Sequence, residues 1–323
     1  MEACLTTYDA ARIPRVSVLI NNYNNGRYLA TCINSVLVQT QSVDEVILFD
    51  DGSTDTSRAI LARYENKITV IFGEHGAGTQ MQNQSRAIDA AFAVCTGDVI
   101  FLLDGDDVFL PKKVEAYLEG FRQNPDAVMV QAPLERIDPD GRHLGLEFDA
   151  GRHRVDYRRH IYASRDLNIF YPTSALAFTR PYLEERLPLD FSDQLRVWPD
   201  GRLALTAPLW GKIITLPMPY TQWRRHPQAH TIARPPPPHR LMRSSYTYFN
   251  SVCRAREMPT IAHWKNFRYW SLMTRYFLFS ERQMQVYRKL RWAVMGSRKR
   301  AELLSGDPTS LRIKEYLERN RVA

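Results

Sequence analysis

Short apolar runs alternate with segments of helical period along the first 130 residues. Val16-Ser17-Val18-Leu19-Ile20 is the first run, and an amphipathic stretch over residues 28–39 follows it. Val46-Ile47-Leu48-Phe49 predicts the next strand and residues 55–65 the next helix. Residues 68–72 and 99–103 are further apolar runs, separated by a helical pattern around 85–94. Such alternation predicts a parallel sheet with helices on both faces, and ligands bind such sheets at the carboxyl ends of the strands.

Pro111 stands where a first helical residue belongs, and the helix it opens should run to about Gln123. Regular alternation lapses after it. Asp138-Pro139-Asp140-Gly141 reads as a tight turn between two extended segments. Pro235 to Pro238 is a run of four prolines, expected to be a stiff extended spacer. Beyond it, residues 240–320 carry aromatic and basic side chains at helical spacings and predict three to five helices. The expected division is therefore a catalytic domain over 1–234 and a proline spacer with a helical C-terminal region over 235–323.

Composition narrows this picture modestly. Hydrophobic residues are 44% and charged residues 24% of the 323, the proportions of a folded globular chain rather than a disordered or fibrous one. Cys4, Cys32, Cys95 and Cys253 lack paired spacing, so neither a disulfide framework nor a zinc site is expected. No signal-peptide pattern opens the chain, and no stretch nears the roughly 20 apolar residues that span a bilayer, so a cytoplasmic location is expected. The net charge of +8 is uneven: residues 240–323 hold 18 Lys and Arg against 6 Asp and Glu. That surplus points the C-terminal end at an anionic partner.

Two acidic clusters carry the chemistry. Asp104-Gly105-Asp106-Asp107 directly follows the apolar run 99–103, and crowded carboxylates at a buried strand end call for a hard divalent cation, Mn²⁺ or Mg²⁺, or for a helix cap. Asp50-Asp51-Gly52-Ser53-Thr54-Asp55 follows the second run in the same way. In one alternating sheet the two clusters meet at one edge.

With Tyr23-Asn24 after the opening strand, these motifs stand in the order and spacing of glycosyltransferase family 2, and residues 16–107 resemble the start of that family. The resemblance implies an inverting enzyme of GT-A fold, a Rossmann-like mixed α/β sheet flanked by helices, with residues 14–130 holding a nucleotide-sugar and 131–234 facing the acceptor. Position by position, it implies that Tyr23, flanked by Asn22 and Asn24, stacks on the nucleotide base. Asp50 or Asp51 accepts the base's ring N–H, with Ser53 nearby. Asp104 lies near the ribose, and Asp106 binds a metal bridging the diphosphate, helped by Asp107. A weaker likeness continues through Pro172-Thr173-Ser174, Asp200-Gly201-Arg202-Leu203 and Trp223-Arg224-Arg225-His226. It implies Asp200 as catalytic base; Arg224 and Arg225 are candidate diphosphate contacts, and His226 is a candidate for a further metal ligand or a diphosphate contact. The chain departs from the family in having Asn21-Asn22 where Pro commonly precedes the Tyr-Asn pair, and Asp89 where Asn is common.

The expected activity is transfer of a sugar from a nucleoside-diphosphate donor, uridine or thymidine, to an acceptor hydroxyl, in surface polysaccharide or glycolipid synthesis. Asp190 and Asp193 are rivals to Asp200 as base, whose competing role is that of a helix cap. A nucleotidyltransferase would need a Gly-rich phosphate loop with Lys or Arg after the first strand, which 21–26 lacks. A non-catalytic nucleotide-sugar sensor would have lost metal or base carboxylates, all of which are present. Trp264, Phe267, Tyr269, Trp270, Tyr276, Phe277 and Phe279, with Arg288-Lys289-Leu290-Arg291-Trp292 beyond, read either as interfacial helices on anionic lipid, suited to a lipid-linked acceptor, or as an aromatic core or homodimer interface. Nucleic acid is the less favoured partner.

Overall fold

A computed structural model describes residues 14–76, 78–147, 156–167, 170–227, 238–265 and 270. Strand β1 (Val16–Asn22) leads to helix α1 (Gly26–Leu37), β2 (Glu45–Asp50), a short α2 (Ser57–Leu61), β3 (Thr69–Phe72), α3 (Gln80–Val94) and β4 (Val99–Asp104). These match the predicted runs closely. α3 starts at a capping box in which Thr79 and Gln82 satisfy each other's backbone N–H groups. Then come β5 (Val108–Phe109), α4 (Lys113–Gln123), β6 (Ala127–Gln131), β7 (Leu134–Ile137), β8 (His143–Glu147), α5 (Tyr157–Ser164), β9 (Leu176–Thr179), α6 (Arg180–Glu184), α7 (Pro199–Thr206), β10 (Lys212–Thr215), β11 (Thr221–Arg224) and α8 (Pro238–Ala255).

Seven strands form the main sheet in the order β10-β6-β9-β4-β1-β2-β3, and β9 runs antiparallel to both its neighbours. The sheet is therefore mixed. Alternate residues of each central strand face opposite sides, which is why the runs read as almost wholly apolar: Leu19, Ile100 and Leu102 enter one buried cluster while Val18, Ile20, Phe101 and Leu103 enter the other. Parallel pairing sets Asn22 opposite Asp50 and Asn21 opposite Asp104, so the polar ends of β1, β2 and β4 share one edge. A second sheet, β5-β11-β7-β8, stands beside that edge. Its β7–β8 connection is the expected turn, with Gly141 at φ +85°.

A compact unit runs to Ile261. Helix α8 places Tyr246, Phe249 and Cys253 at 2%, 0% and 0% exposure in the same core as α7, so its apolar stripe belongs to the main body. Residues 235–237, and all from 266 except Trp270, lie outside the described residues, and with them most of the aromatic and basic C-terminal pattern. Among the described residues no helix is long and apolar enough to cross a membrane.

The α7–α8 junction is held by Arg202, which is wholly buried. It pairs with Asp193 through two bonds of 2.6 and 2.8 Å, donates to the carbonyls of Asp190, Leu195 and Val197, and lies over the rings of Phe191 and Tyr248. Arg202→Ala would leave these carbonyls unsatisfied beside a cavity. The expected loss is about 3 kcal/mol in urea denaturation, at the low end for a broken buried pair because Asp193 keeps some solvent.

Candidate active site

The shared strand edge opens on a cleft of about 880 Å³, within the usual range for small-molecule sites. Tyr23, Asn24, Asp51, Asp104, Asp106, Asp200, Arg224 and His226 line it. The folding thus brings together most of the residues singled out by the motifs, over just more than two hundred positions of chain.

The β2 end divides its two carboxylates. Asp50 is fully buried, accepting from Asn22 Nδ2 at 2.6 Å, Ser53 Oγ at 2.6 Å and Ser53 N–H at 3.1 Å, so it builds the turn. Asn22 and Ser53 are spent on the same task and, like Asp50, stay out of the lining. Gly52 takes φ +67°, and a Cβ there would come within 2.7 Å of the His75 backbone nitrogen. The turn and the loop after β3 therefore pack tightly. Asp51 instead faces the cleft, 2.6 Å from His75 Nδ1 and 2.6 Å from an Arg86 guanidinium nitrogen. Asn24, at φ +53°, accepts the Thr54 N–H on its side-chain oxygen and fixes the neighbouring loop.

Around β4 the carboxylates crowd. Burial, followed by the charges of Asp106 and Asp200, pushes the Asp104 carboxyl up to about 7, despite hydrogen bonds from Asn21 and Gln84. Asp106 lies 2.8 Å from His226 Nε2. Asp107 turns inward, out of the lining: it is 1% exposed and accepts the Arg224 N–H at 2.8 Å. Burial also holds its carboxyl well above the usual range. Arg224 donates to the carbonyls of Asp106, Asp138 and Pro139, so it braces the acidic loop against the β7–β8 turn. β11 thus delivers His226 to Asp106.

Asp200 is the second residue of α7, whose cap position is Trp198 and whose first residue is Pro199. It is not a cap. Its carboxylate accepts from the Thr173 N–H at 3.0 Å, the Thr173 hydroxyl at 3.1 Å and the Gly201 N–H at 2.7 Å, while burial raises its pKa above the ordinary carboxylate value. The rivals are elsewhere, Asp193 on Arg202 and Asp190 accepting from Ser192 in an exposed turn. Neither lines the cleft.

Among the described residues no three His, Cys, Asp or Glu side chains group as a metal site. Asp106 and His226 nevertheless fit a cation that takes one or two protein ligands and fills its shell with phosphate oxygens and water, as Mg²⁺ does. Motif reading missed His75, Arg86, Gln84 and Trp198, which also belong to this region. A usable signal existed for the first: a loop after β3 must open on the edge where β1, β2 and β4 end.

A family model described as "Glycosyl transferase family 2" matches residues 17–187, more than half of the chain. The chain belongs to glycosyltransferase family 2. An uncharacterized glycosyltransferase of Nostoc is 37% identical over 217 residues, 66% of this chain and 65% of that one. The chondroitin synthase of Escherichia coli is 35% identical over 131 residues, 40% of this chain and 18% of its own. The chain thus spans less than two thirds of the length of these relatives. Among solved structures, a mannosyltransferase of Pyrobaculum calidifontis, in complex with GDP-Man and Mn²⁺, superposes with TM-score 0.54 at 15% identity, covering 89% of this chain and 82% of that one. The fold is GT-A, as the motifs imply, and the enzyme class that goes with family membership is glycosyltransferase.

Proposed function

We propose that this family 2 enzyme transfers a sugar with inversion from a uridine or thymidine diphosphate donor to an acceptor hydroxyl, in the synthesis of a polysaccharide or glycolipid. The convergence of Asp51, Asp104, Asp106 and Asp200 on one cleft carries the reading. Tyr23 and Asp51 take the base by its face and its ring N–H, and Asp104 the ribose side. Asp106 and His226 would hold a divalent cation, Mn²⁺ or Mg²⁺, and the bound ion would supply positive charge against that growing on the leaving diphosphate. Asp107 and Arg224 support that ligand pair from behind, through the hydrogen bonds described above, and Asn22, Asp50 and Ser53 do the same for the base side.

Asp200 takes the proton of the acceptor hydroxyl as its oxygen attacks the anomeric carbon, and a single displacement inverts that centre. Burial suits it to the task, because a raised pKa makes a stronger base. Trp198 and Trp223 wall the cleft on this side and offer flat apolar faces to an acceptor sugar. The Escherichia coli relative's name supports a polysaccharide product, and the basic surplus of residues 240–323 supports work at the cytoplasmic face of a membrane on a lipid-linked acceptor. A panel of nucleotide-sugars tests the reading: one donor should stabilise the protein thermally and be slowly hydrolysed, each only with Mn²⁺ or Mg²⁺. A panel without any metal-dependent response counts against it.

A further inference from the structure

Two contacts at the base side of the cleft are already made within the chain. The His75 imidazole lies flat on Tyr23, ring centroids 4.0 Å apart and planes 10° from parallel. Its Nδ1 is 2.6 Å from Asp51 Oδ2, with Asp51 Oδ1 held 2.6 Å from Arg86. A flat ring stacked on Tyr23, donating a ring N–H to Asp51, is the arrangement that the proposed function assigns to the nucleobase. Resting on that reading, we infer that His75 is a built-in mimic of the base, closing the base slot in the donor-free protein and leaving it when a base with a ring N–H arrives.

The geometry gives this a selective consequence. Asp51 has little solvent, its side chain being 4% exposed, and losing the His75 proton leaves one carboxylate oxygen without a donor. Uracil and thymine replace that donor with N3–H. Cytosine presents an unprotonated ring nitrogen there and repels the carboxylate. The ring can leave because the His75 side chain is 38% exposed and sits in a loop of glycines, Gly73, Gly76 and Gly78, while Arg86 keeps the Asp51 carboxylate in place by its own bond and by one to the Glu74 carbonyl. Closing the slot also lowers apparent donor affinity by the fraction of time it is open.

His75→Ala removes the competitor and keeps Tyr23 and Asp51. UDP with Mg²⁺, titrated by calorimetry into the full chain, should bind about 3- to 10-fold more tightly than to the wild type. Pyrophosphate with Mg²⁺ should bind both proteins equally. Weaker UDP binding to the variant would make His75 a wall of the base site and overturn the proposal, as would unchanged UDP binding or a change confined to pyrophosphate. The wild type offers a reading without substitution: the His75 ring-proton resonances should move downfield when UDP takes the face of Tyr23, and unmoved resonances in a UDP-saturated sample overturn the exchange. If UDP, TDP and GDP all fail to bind either protein, the donor reading falls and takes this inference with it. A reversed sign with UDP bound removes the inference alone.

Discussion

Asp200→Asn is expected to lower sugar transfer by about 10² or more while donor affinity stays within twofold. Asparagine keeps the side chain's size and one oxygen, which can still accept the Thr173 N–H and hydroxyl at 3.0 and 3.1 Å. What it loses is the capacity to take a proton. The wild-type rate should also fall as pH drops through the raised pKa of Asp200, because only the carboxylate form serves as base. The acid limb should therefore lie above the range of an ordinary aspartate, and the variant should lose it. Steady-state kinetics across pH, with donor binding measured separately, checks both points. A variant with near-normal turnover would remove Asp200 from the reaction. One that loses nucleotide and metal together would make it a ligand.

The elements that build the cleft were largely legible, because the central strands of a parallel sheet are buried on both faces and read as unbroken apolar runs. Their ends were legible too, since parallel strands deliver their last residues to one edge. What a strand end does with two neighbouring acids was not: Asp50 and Asp51 project to opposite sides, and only the packing of Asn22 and Ser53 directs the first into the turn. Asp106 and Asp107 part in the same way, the second drawn inward by the Arg224 N–H from a strand more than a hundred residues away. The last of the four prolines opens a helix. Proline is tolerated at the first turn of a helix, and α8 begins at Pro238, carrying Tyr246, Phe249 and Cys253 into the core. His75 left no periodic trace, because it stands in an irregular loop where no pattern assigns a side chain to a face.

Asp106→Ala should abolish most of the metal dependence of nucleotide binding. In the wild type, calorimetry should find UDP or TDP bound in Mn²⁺ or Mg²⁺ and nearly unbound in chelator, since a cluster of carboxylates repels a bare diphosphate. The neighbours make Asp106 hard to replace: Asp107 is turned away onto Arg224, and Asp104 is raised to about 7 and bonded to Asn21 and Gln84. His226, 2.8 Å from Asp106, would keep one nitrogen for the cation but lose the oxygen beside it. A hard cation held by one imidazole alone is held poorly, for oxygen is its preferred donor. Affinity in metal should thus fall by about 10², a loss of about 2.7 kcal/mol, and His226→Ala should cost less. Removing Asp106 also takes one negative charge from beside the phosphates, so binding in chelator should rise slightly, narrowing the gap from both ends. Equal wild-type affinity with and without chelator would count decisively against a metal at this loop, and would leave the acidic cluster to act through hydrogen bonds alone.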